Sequence, residues 1–272
     1  MFLNNVWRCQ SCRTVFIWPQ PSGEQLKEIY QDSYFKNNKS EDCGYDNYEQ
    51  DKENIVKTSE WRLKRIQHVK PGRGRLLDVG CALGFFLETA QHKGWDVRGI
   101  DISQYAIAAA KKRLGNNVFC GILQEGIFPD NYFDVITYWD CIEHVPDPDL
   151  QIRLSAKILK KKGILLLMTP DAGSVVAKLA GDKWMGYKDR EHLFYFSRTG
   201  LKILLERNGF RLVAMHSAGK HVTLDLFTRR LALYSKPIAR LADFLIRLVC
   251  NPEGVSVYVN PLDIVTVYAE KL

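Results

Sequence analysis

Short apolar runs alternate with segments of helical spacing from Arg75 to Ser217. Segments with the length and composition of buried strands are RLLDVG (75–80), DVRGID (96–101), NVFCG (117–121), FDVITYW (133–139) and GILLLMTP (163–170). Segments with amphipathic helical spacing lie between them: FFLETAQHKG (85–94), QYAIAAAKKRL (104–114) and DPDLQIRLSAKILKKKG (147–163), the last with a basic final turn. Strands that are apolar throughout and separated by helices are typical of a parallel sheet covered on both faces, so the pattern predicts an α/β fold.

Local signals mark where these helices begin and end. Ser103 and Ser197 are placed to cap helices at their first turn, Gly94 follows the last turn of the helix 85–94, and Gly209 follows the last turn of the helix that starts at Ser197. The helix that starts at Ser197 leads into the strand FRLVAMHS (210–217), and IVTVYAEKL (264–272) supplies a final strand. These elements define a core over residues 55–218, completed by a last strand within 256–272.

Two regions lie outside this core. Residues 1–54 are polar, irregular and rich in tyrosine, and we expect them to form a cap segment. The helix predicted after it, with Ile55, Trp61, Ile66 and Val69 at helical spacing, ends before Pro71 and Gly72.

The second region, residues 219–255, is an insertion with apolar residues at steps of three and four and basic residues between them. Pro237 is expected to split it into two helices. Three interpretations stay open: helices packed on the core or on a partner subunit of a homodimer, a substrate lid, or a basic amphipathic surface, over 222–249, that lies on a membrane.

Composition narrows the class of protein only in part. The 272 residues are 46% hydrophobic, which suits a folded globular chain, and no apolar run has the length of a signal peptide or a membrane span. Seven scattered cysteines, an odd number, favour reduced thiols, so we expect a soluble cytoplasmic protein. The net charge of +7 is too dispersed to choose among acidic substrates, nucleic acid and membranes.

The segment LLDVGCALGFF (76–86) contains the clearest candidate chemistry. It predicts a strand, a glycine turn and a helix, in which Gly80 and Gly84 allow backbone to approach a ligand closely. Asp101 ends the next strand, where a carboxylate can accept from both hydroxyls of a ribose. Any nucleotide-binding protein with this sheet could share these features.

Two details favour S-adenosylmethionine over NAD. The turn lacks the G-x-G-x-x-G spacing that brings backbone against a pyrophosphate. Asp78 also places an anion directly before the turn, which would repel a diphosphate but suits the ammonium group of a methionine. Asp78 could instead be a buried carboxylate that only accepts loop N–H groups, and both roles are compatible.

At this point the chain resembles the class I S-adenosylmethionine-dependent methyltransferases, in the branch of small-molecule and ubiquinone-type enzymes. The resemblance rests on LLDVGCALGFF, GIDIS (99–103) and FDVITYWDCIEHVPDP (133–148). It implies a Rossmann-like sheet of order 3-2-1-4-5-7-6 with an antiparallel last strand. It also implies cofactor-binding roles for Asp78, Gly80, Cys81, Gly84, Asp101, Ile102, Trp139 and Asp140.

One departure from the family pattern concerns the adenine. Such enzymes often place an acidic residue after the third strand, where this chain has Ile122. We therefore expect apolar contact and the backbone of Leu123 to hold the adenine, with Gln124 nearby.

Two histidines are candidates for a catalytic base, because histidine has a suitable pKa for accepting a proton from an acceptor hydroxyl or acidic carbon. His144 follows Glu143 after the fourth strand, and His192 lies in the aromatic run GDKWMGYKDREHLFYFS (181–197), which resembles a segment of the same family branch. A structural or cofactor-proximal role for His144 and a capping role for His192 are the alternatives.

The N-terminal pair Cys9 and Cys12 has the spacing of half a zinc site. Family members often begin with a ribbon carrying two such pairs, so we expect a vestigial ribbon and predict no metal. The tyrosines of YQDSYF (30–35) and YDNYEQD (45–51) either fold over the cofactor or pack in the core.

The sequence as a whole predicts an enzyme that methylates oxygen or carbon of a small, sugar-linked or lipid-linked molecule. A nucleic-acid methyltransferase is a rival, suggested by the basic charge. The segment Asp140-Cys141-Ile142-Glu143 lacks the proline pair and aromatic residue that would stack on a flipped base, so nucleic acid is not the expected partner. A nucleotide-binding protein without transfer activity, or an NAD enzyme, is the other alternative.

Overall fold

The computed structural model describes residues 6–22, 25, 48–188 and 191–272. Its helices are α1 (Lys52–Val69), α2 (Phe85–His92), α3 (Gln104–Leu114), α4 (Pro148–Ile158), α5 (Val175–Ala180), α6 (Arg198–Arg207), α7 (Leu224–Tyr234) and α8 (Lys236–Val249). Its strands are β1 (Val6–Arg8), β2 (Val15–Ile17), β3 (Arg75–Val79), β4 (Asp96–Asp101), β5 (Val118–Cys120), β6 (Phe133–Trp139), β7 (Leu159–Pro170), β8 (Phe194–Tyr195), β9 (Phe210–Ser217), β10 (Lys220–Thr223), β11 (Ser256–Val259) and β12 (Ile264–Lys271).

Seven of these strands form the central sheet in the order β5-β4-β3-β6-β7-β12-β9. Numbered along the core, this order is 3-2-1-4-5-7-6, which confirms the predicted topology. The first five strands run parallel, and β12 is antiparallel to both β7 and β9. The carboxyl ends of β3, β4 and β6 therefore meet at one edge of the sheet, where ligands bind in folds of this kind.

Both faces of the sheet are covered, which explains why its strands are apolar throughout. Neighbouring side chains on a strand point to opposite faces. Leu76 packs with helices α1, α2 and α3, whereas Leu77 packs with α4 and α6, and both are fully buried. The caps predicted for two helices are present, since Ser103 accepts from the N–H of Ala106 and Ser197 from that of Gly200.

The predicted end of the helix 147–163 is wrong, although its last turn is basic as expected, since it contains Lys157. Helix α4 ends at Ile158, and the three lysines that follow belong to strand β7. Leu159 is extended, fully buried and paired with Phe133, so tertiary burial of one leucine outweighs the helical tendency of the lysines. Lys160 then forms an ion pair with Asp134 at 2.8 Å.

Two small sheets flank the central one. Strand β2 lies between β1 and β8, and its pairing with β8 joins the N-terminal ribbon to the segment that carries His192. Strands β10 and β11 form a separate ribbon, and α7 and α8 lie between these two strands in the sequence. Within 256–272, therefore, only Ile264–Lys271 belongs to the large sheet. The predicted division of the insertion is confirmed, since α7 and α8 meet at Ser235 and Pro237 lies in the first turn of α8.

Within the part of the chain that the structure describes, no helix has both the length and the apolar character needed to cross a membrane.

Candidate active site

The turn between β3 and α2 requires glycine at two positions. Gly80 has φ +78°, and a Cβ there would lie 2.5 Å from the sulfur of Cys141. Gly84 has φ +80°, and its Cβ would lie 2.8 Å from Leu114 Cδ1. The N–H groups of Gly80 and Cys81 donate to the carbonyl of Ile100, at 2.8 and 3.1 Å, so the turn is held against the end of β4.

Asp101 lies at that end of β4 and is held by backbone. One carboxylate oxygen accepts from the N–H of Ala82 at 2.8 Å and the other from the N–H of Ser103 at 2.9 Å. Burial raises the pKa of Asp101, although these two hydrogen bonds act in the opposite direction. A carboxylate offers about four acceptor positions, so capacity remains for two ribose hydroxyls. Ile102 is half-buried beside it.

Asp78 is the second acid of this edge and is only 2% exposed. Burial raises its pKa to about 8, against the hydrogen bond from Thr137 and the charge of Arg62. The Thr137 hydroxyl donates to the carboxylate at 2.7 Å. A buried carboxyl with so little compensation is suited to a cationic ligand group.

Cys81 contributes to the turn through its main chain. Its side chain is 4% exposed and packs against Gly99, where a Cβ would lie 2.8 Å from the sulfur. Burial raises the pKa of Cys81 well above its ordinary value, so the thiol stays neutral.

Asp140 follows β6 and lies between two cations. Its Oδ2 is 2.7 Å from Lys220 Nζ and 3.6 Å from a guanidinium nitrogen of Arg62. Burial acts to raise the pKa of Asp140, but the charges of Lys220 and Arg62 hold it below its ordinary value. Arg62 also stacks over the ring of Trp139, 4.3 Å from its centroid. This group therefore holds two positive charges against one carboxylate.

Arg62 and Lys220 were missed by sequence reasoning. Arg62 lies among the apolar residues of α1 and Lys220 begins β10, so neither belongs to a local motif. A basic residue between Trp61 and Leu63 on the inner side of a predicted helix was the one available signal. Arg62 is 8% exposed, and its Nε has no hydrogen-bond partner among the described residues.

The segment after β5 is consistent with an apolar adenine site. Ile122 is 47% exposed, while Leu123 is buried and its carbonyl accepts from the side-chain amide of Gln151 at 3.0 Å. The carbonyl of Leu123 is thus already engaged. Gly121 donates to the carbonyl of Asp101 at 2.8 Å, which places this segment beside the proposed ribose site.

His144 and His192 come together across two loops. Their ring centroids are 4.8 Å apart, and His192 is 4% exposed. His144 Nδ1 lies 2.7 Å from the carbonyl of Glu191, and His192 Nδ1 lies 2.9 Å from that of Gly186. A carbonyl only accepts, so each Nδ1 carries the proton and each Nε2 the lone pair. Burial lowers the pKa of His192 to about 3, with the nearby His144 acting in the same direction.

Glu143 completes a set of metal-ligand types with the two histidines. The ligand atoms of Glu143, His144 and His192 all lie within 4.8 Å of one another. Burial raises the pKa of Glu143 to about 8, and its Oε2 has no hydrogen-bond partner among the described residues. One carboxylate and two imidazoles with their Nδ1 protons on carbonyls can hold a divalent cation.

Aromatic residues surround this histidine pair. Trp184 is fully buried and donates from its indole to Asp263 at 2.6 Å, and the ring of Tyr187 packs edge-on against both Trp184 and Tyr195.

Tyr48 stacks on Phe85 with 5.9 Å between centroids, so this tyrosine of the segment 45–51 packs on the glycine turn. Arg190, Cys43 and the tyrosines of 30–35 and 45 lie outside the described residues, so predictions that rest on them are untested.

More than half of the chain matches a known protein family. A family model described as a methyltransferase domain matches residues 53–215. A ubiquinone biosynthesis O-methyltransferase of Nitrosomonas europaea is 36% identical over 116 residues, which are 40% of this chain and 49% of that protein. The same enzyme of Pelagibacter ubique is 36% identical over 124 residues, 43% of this chain and 50% of that protein. The chain spans about half the length of these curated relatives.

Solved structures show the same fold. An S-adenosylmethionine-dependent methyltransferase from Archaeoglobus fulgidus superposes with a TM-score of 0.56 at 20% identity, covering 81% of this chain and 97% of that one. Another from Mesorhizobium loti gives a TM-score of 0.53 at 17% identity, covering 78% and 98%. At such identities the likeness shows the fold alone.

Proposed function

Because the chain belongs to the methyltransferase domain family, we propose that it transfers the methyl group of S-adenosylmethionine to oxygen or carbon of a small, sugar-linked or lipid-linked acceptor. The observation that carries this proposal is the pair of the buried Asp78 and the half-buried Asp101, which lie at the carboxyl ends of adjacent parallel strands on either side of a glycine turn. This pair suits a ligand with a cation at one end and a ribose diol at the other.

The adenosine end would be held by β4 and the two turns beside it. Asp101 accepts from the ribose hydroxyls, and the positive φ of Gly80 and Gly84 gives the turn beside it its tight backbone. Ile102 and the exposed face of Ile122 supply apolar contact to the adenine, with the backbone of Leu123 next to them. Without an acidic partner at position 122, discrimination for adenine rests mainly on shape.

The methionine end would be held by opposite charges. Its ammonium pairs with Asp78, directly or through water. Arg62 and Lys220 carry two positive charges, of which Asp140 compensates one, so the remaining charge suits the carboxylate of the methionine. Trp139 backs this end of the site by stacking with Arg62.

The acceptor side would be formed by the histidine pair and its aromatic surroundings. When bound, S-adenosylmethionine supplies an electrophilic methyl carbon on a sulfonium. Nε2 of His192, or of His144, accepts the proton of the acceptor while the acceptor bonds to the methyl carbon and the carbon–sulfur bond breaks. The lowered pKa of His192 leaves its imidazole unprotonated at neutral pH, so Nε2 has its lone pair, and the same shift makes the ring a weak base.

A divalent cation at Glu143, His144 and His192 is a second candidate for this side of the site. The unpartnered Oε2 of Glu143 favours it, since a cation would compensate that buried carboxyl. Such an ion would orient an acceptor oxygen and lower its pKa. Equilibrium dialysis with Zn²⁺ and Mn²⁺, using wild type and Glu143→Gln, tests it. Binding of neither ion, or equal binding to the variant, leaves the histidines as bases.

The experiment that tests the proposed function is transfer of a radiolabelled methyl group from S-adenosylmethionine to fractionated metabolite extracts. Label in a small or lipid-extractable product supports the proposal, and label in nucleic acid supports the rival. Binding of S-adenosylmethionine without label in any fraction would favour a nucleotide-binding protein. A cytoplasmic location, a homodimer, the vestigial cysteine ribbon and the division into cap, core and insertion stay predictions.

A further inference from the structure

Helix α8 has an apolar face that the described residues of the chain leave exposed to solvent. Six large apolar side chains on it are more than half exposed: Ile238 (59%), Leu241 (60%), Phe244 (60%), Leu245 (52%), Leu248 (68%) and Val249 (86%). Spacings of three and four residues place them on one side, while Ala239, on another side, is buried, and α8 packs against α7. A continuous patch of this kind marks an interaction surface.

Basic residues border this face. The segment 224–249 contains five basic and two acidic residues. Both acids are engaged within the segment, since Asp225 pairs with Arg229 at 2.9 Å and Asp243 with Arg247 at 2.8 Å. Lys236 and Arg240 have no acidic partner within 4 Å among the residues that the structure describes. The segment therefore offers net positive charge beside an apolar face.

Charge and length together indicate what covers the face. An apolar helix face bordered by cations is typical of helices that lie in the surface of an anionic membrane. The 14 residues of α8 extend about 21 Å, less than a bilayer core of about 30 Å, so the helix would lie along the surface. A symmetric contact between two copies would bring their basic borders together, whereas lipid phosphates would neutralise them.

The helix pair is also connected to the acceptor side of the site. Tyr234, at the junction of α7 and α8, lies close to the backbone of Met185. The next residue, Gly186, accepts from Nδ1 of His192 at 2.9 Å. A surface that binds lipid would thus lie one short loop away from the proposed catalytic histidine.

We propose that α8 docks the protein on anionic membranes through this apolar face and its basic border, and that the acceptor is an amphiphilic lipid taken from that surface. The docking itself is independent of methyl transfer. The lipid class of the acceptor rests on the proposed function.

Co-sedimentation of the full chain with vesicles tests the docking. One set of vesicles is phosphatidylcholine alone, and the other contains 30% phosphatidylglycerol. We expect binding to the anionic vesicles, weakened several-fold by 0.5 M salt. Leu241→Glu with Leu248→Glu should lower binding about tenfold or more, since charged groups replace inserted leucines. Lys236→Gln with Arg240→Gln should lower mainly the preference for anionic lipid.

Leu179→Glu is the matched control, because Leu179 is an 83% exposed leucine that belongs to α5 and not to the apolar face of α8. It should bind vesicles like wild type. Titration of each variant with S-adenosylhomocysteine checks that the cofactor site is folded, so a failure of docking is distinct from a failure of the proposed function.

Two results would overturn docking. One is the absence of binding to anionic vesicles, or equal binding by wild type and the double leucine variant. The other is a wild-type dimer that this variant converts to a monomer while neither binds vesicles, which would make the face a subunit interface. For the acceptor, labelled product confined to water-soluble fractions would exclude the lipid class.

Discussion

The imidazole of His192 lies edge-on to that of His144, with 4.8 Å between ring centroids, and each ring is anchored through Nδ1 to a main-chain carbonyl. The two residues are far apart in sequence, and the hydrogen bond from Leu193 N–H to the carbonyl of Glu143 joins their segments at 2.9 Å. The pair is therefore held at the carboxyl edge of β6, beside the proposed methionine site.

Replacement of His192 by alanine should lower turnover about 100-fold or more with little change in cofactor affinity, because a positioned general base contributes roughly 10²–10⁴ to rate. Turnover and calorimetric affinity for S-adenosylhomocysteine are measured on the same preparation. His68→Ala, an exposed histidine of α1, is the control. Full activity in His192→Ala would reduce His192 to a structural residue.

Binding of S-adenosylmethionine should release a proton near pH 6.5 through Asp78. Burial raises the pKa of Asp78 to about 8, so the free protein holds it protonated at that pH, while a bound ammonium favours the ionised form. Affinity should rise with pH up to about 8 and level off above it. Calorimetry in phosphate and Tris buffers measures the protons released.

Asp78→Asn should abolish this proton release, and 5′-methylthioadenosine, which lacks the ammonium, should not cause it even in wild type. A wild-type heat independent of buffer would remove Asp78 from the ammonium site.

Arg62→Ala should weaken binding of S-adenosylhomocysteine about tenfold or more but leave 5′-methylthioadenosine nearly unaffected, since only the former has a carboxylate to pair with the guanidinium. Comparison of the two ligands separates this role from a general loss of structure. Arg65→Ala, an exposed neighbour on α1, is the control. Equal weakening of both ligands would make Arg62 a structural partner of Trp139 and Asp140.

Gly80→Ala should destabilise the protein by about 2–4 kcal/mol, because positive φ strains an L-residue and the new Cβ meets the sulfur of Cys141. Gly115→Ala is the matched control, since Gly115 also has positive φ but open space around it, and should cost about 1 kcal/mol. Denaturant unfolding measures both. An equal loss of unfolding free energy in the two variants would mean that Cys141 moves aside and that the turn has room for a side chain.

The sequence predicted the sheet and its glycine turn because those features are local. Strand spacing, two capping serines and the residues Asp78 and Asp101 can each be read within a short window. The ion pairs of Asp140 with Arg62 and Lys220 cannot, since they join α1, the end of β6 and β10 across the fold. The end of α4 was predicted wrongly for a similar reason. The lysines after Ile158 favour a longer helix, but the burial of Leu159 in β7 is a tertiary effect that the local sequence does not show.

Asp101 provides the most direct test of the central claim, that this edge of the sheet binds S-adenosylmethionine. Calorimetric titration of wild type and Asp101→Ala with S-adenosylmethionine, S-adenosylhomocysteine and NAD should show binding of the first two by wild type. The variant should lose more than about tenfold in affinity, or about 1.4 kcal/mol, as the ribose hydroxyls lose their acceptor. Tight binding of NAD alone, or unchanged affinity in Asp101→Ala, would contradict the account.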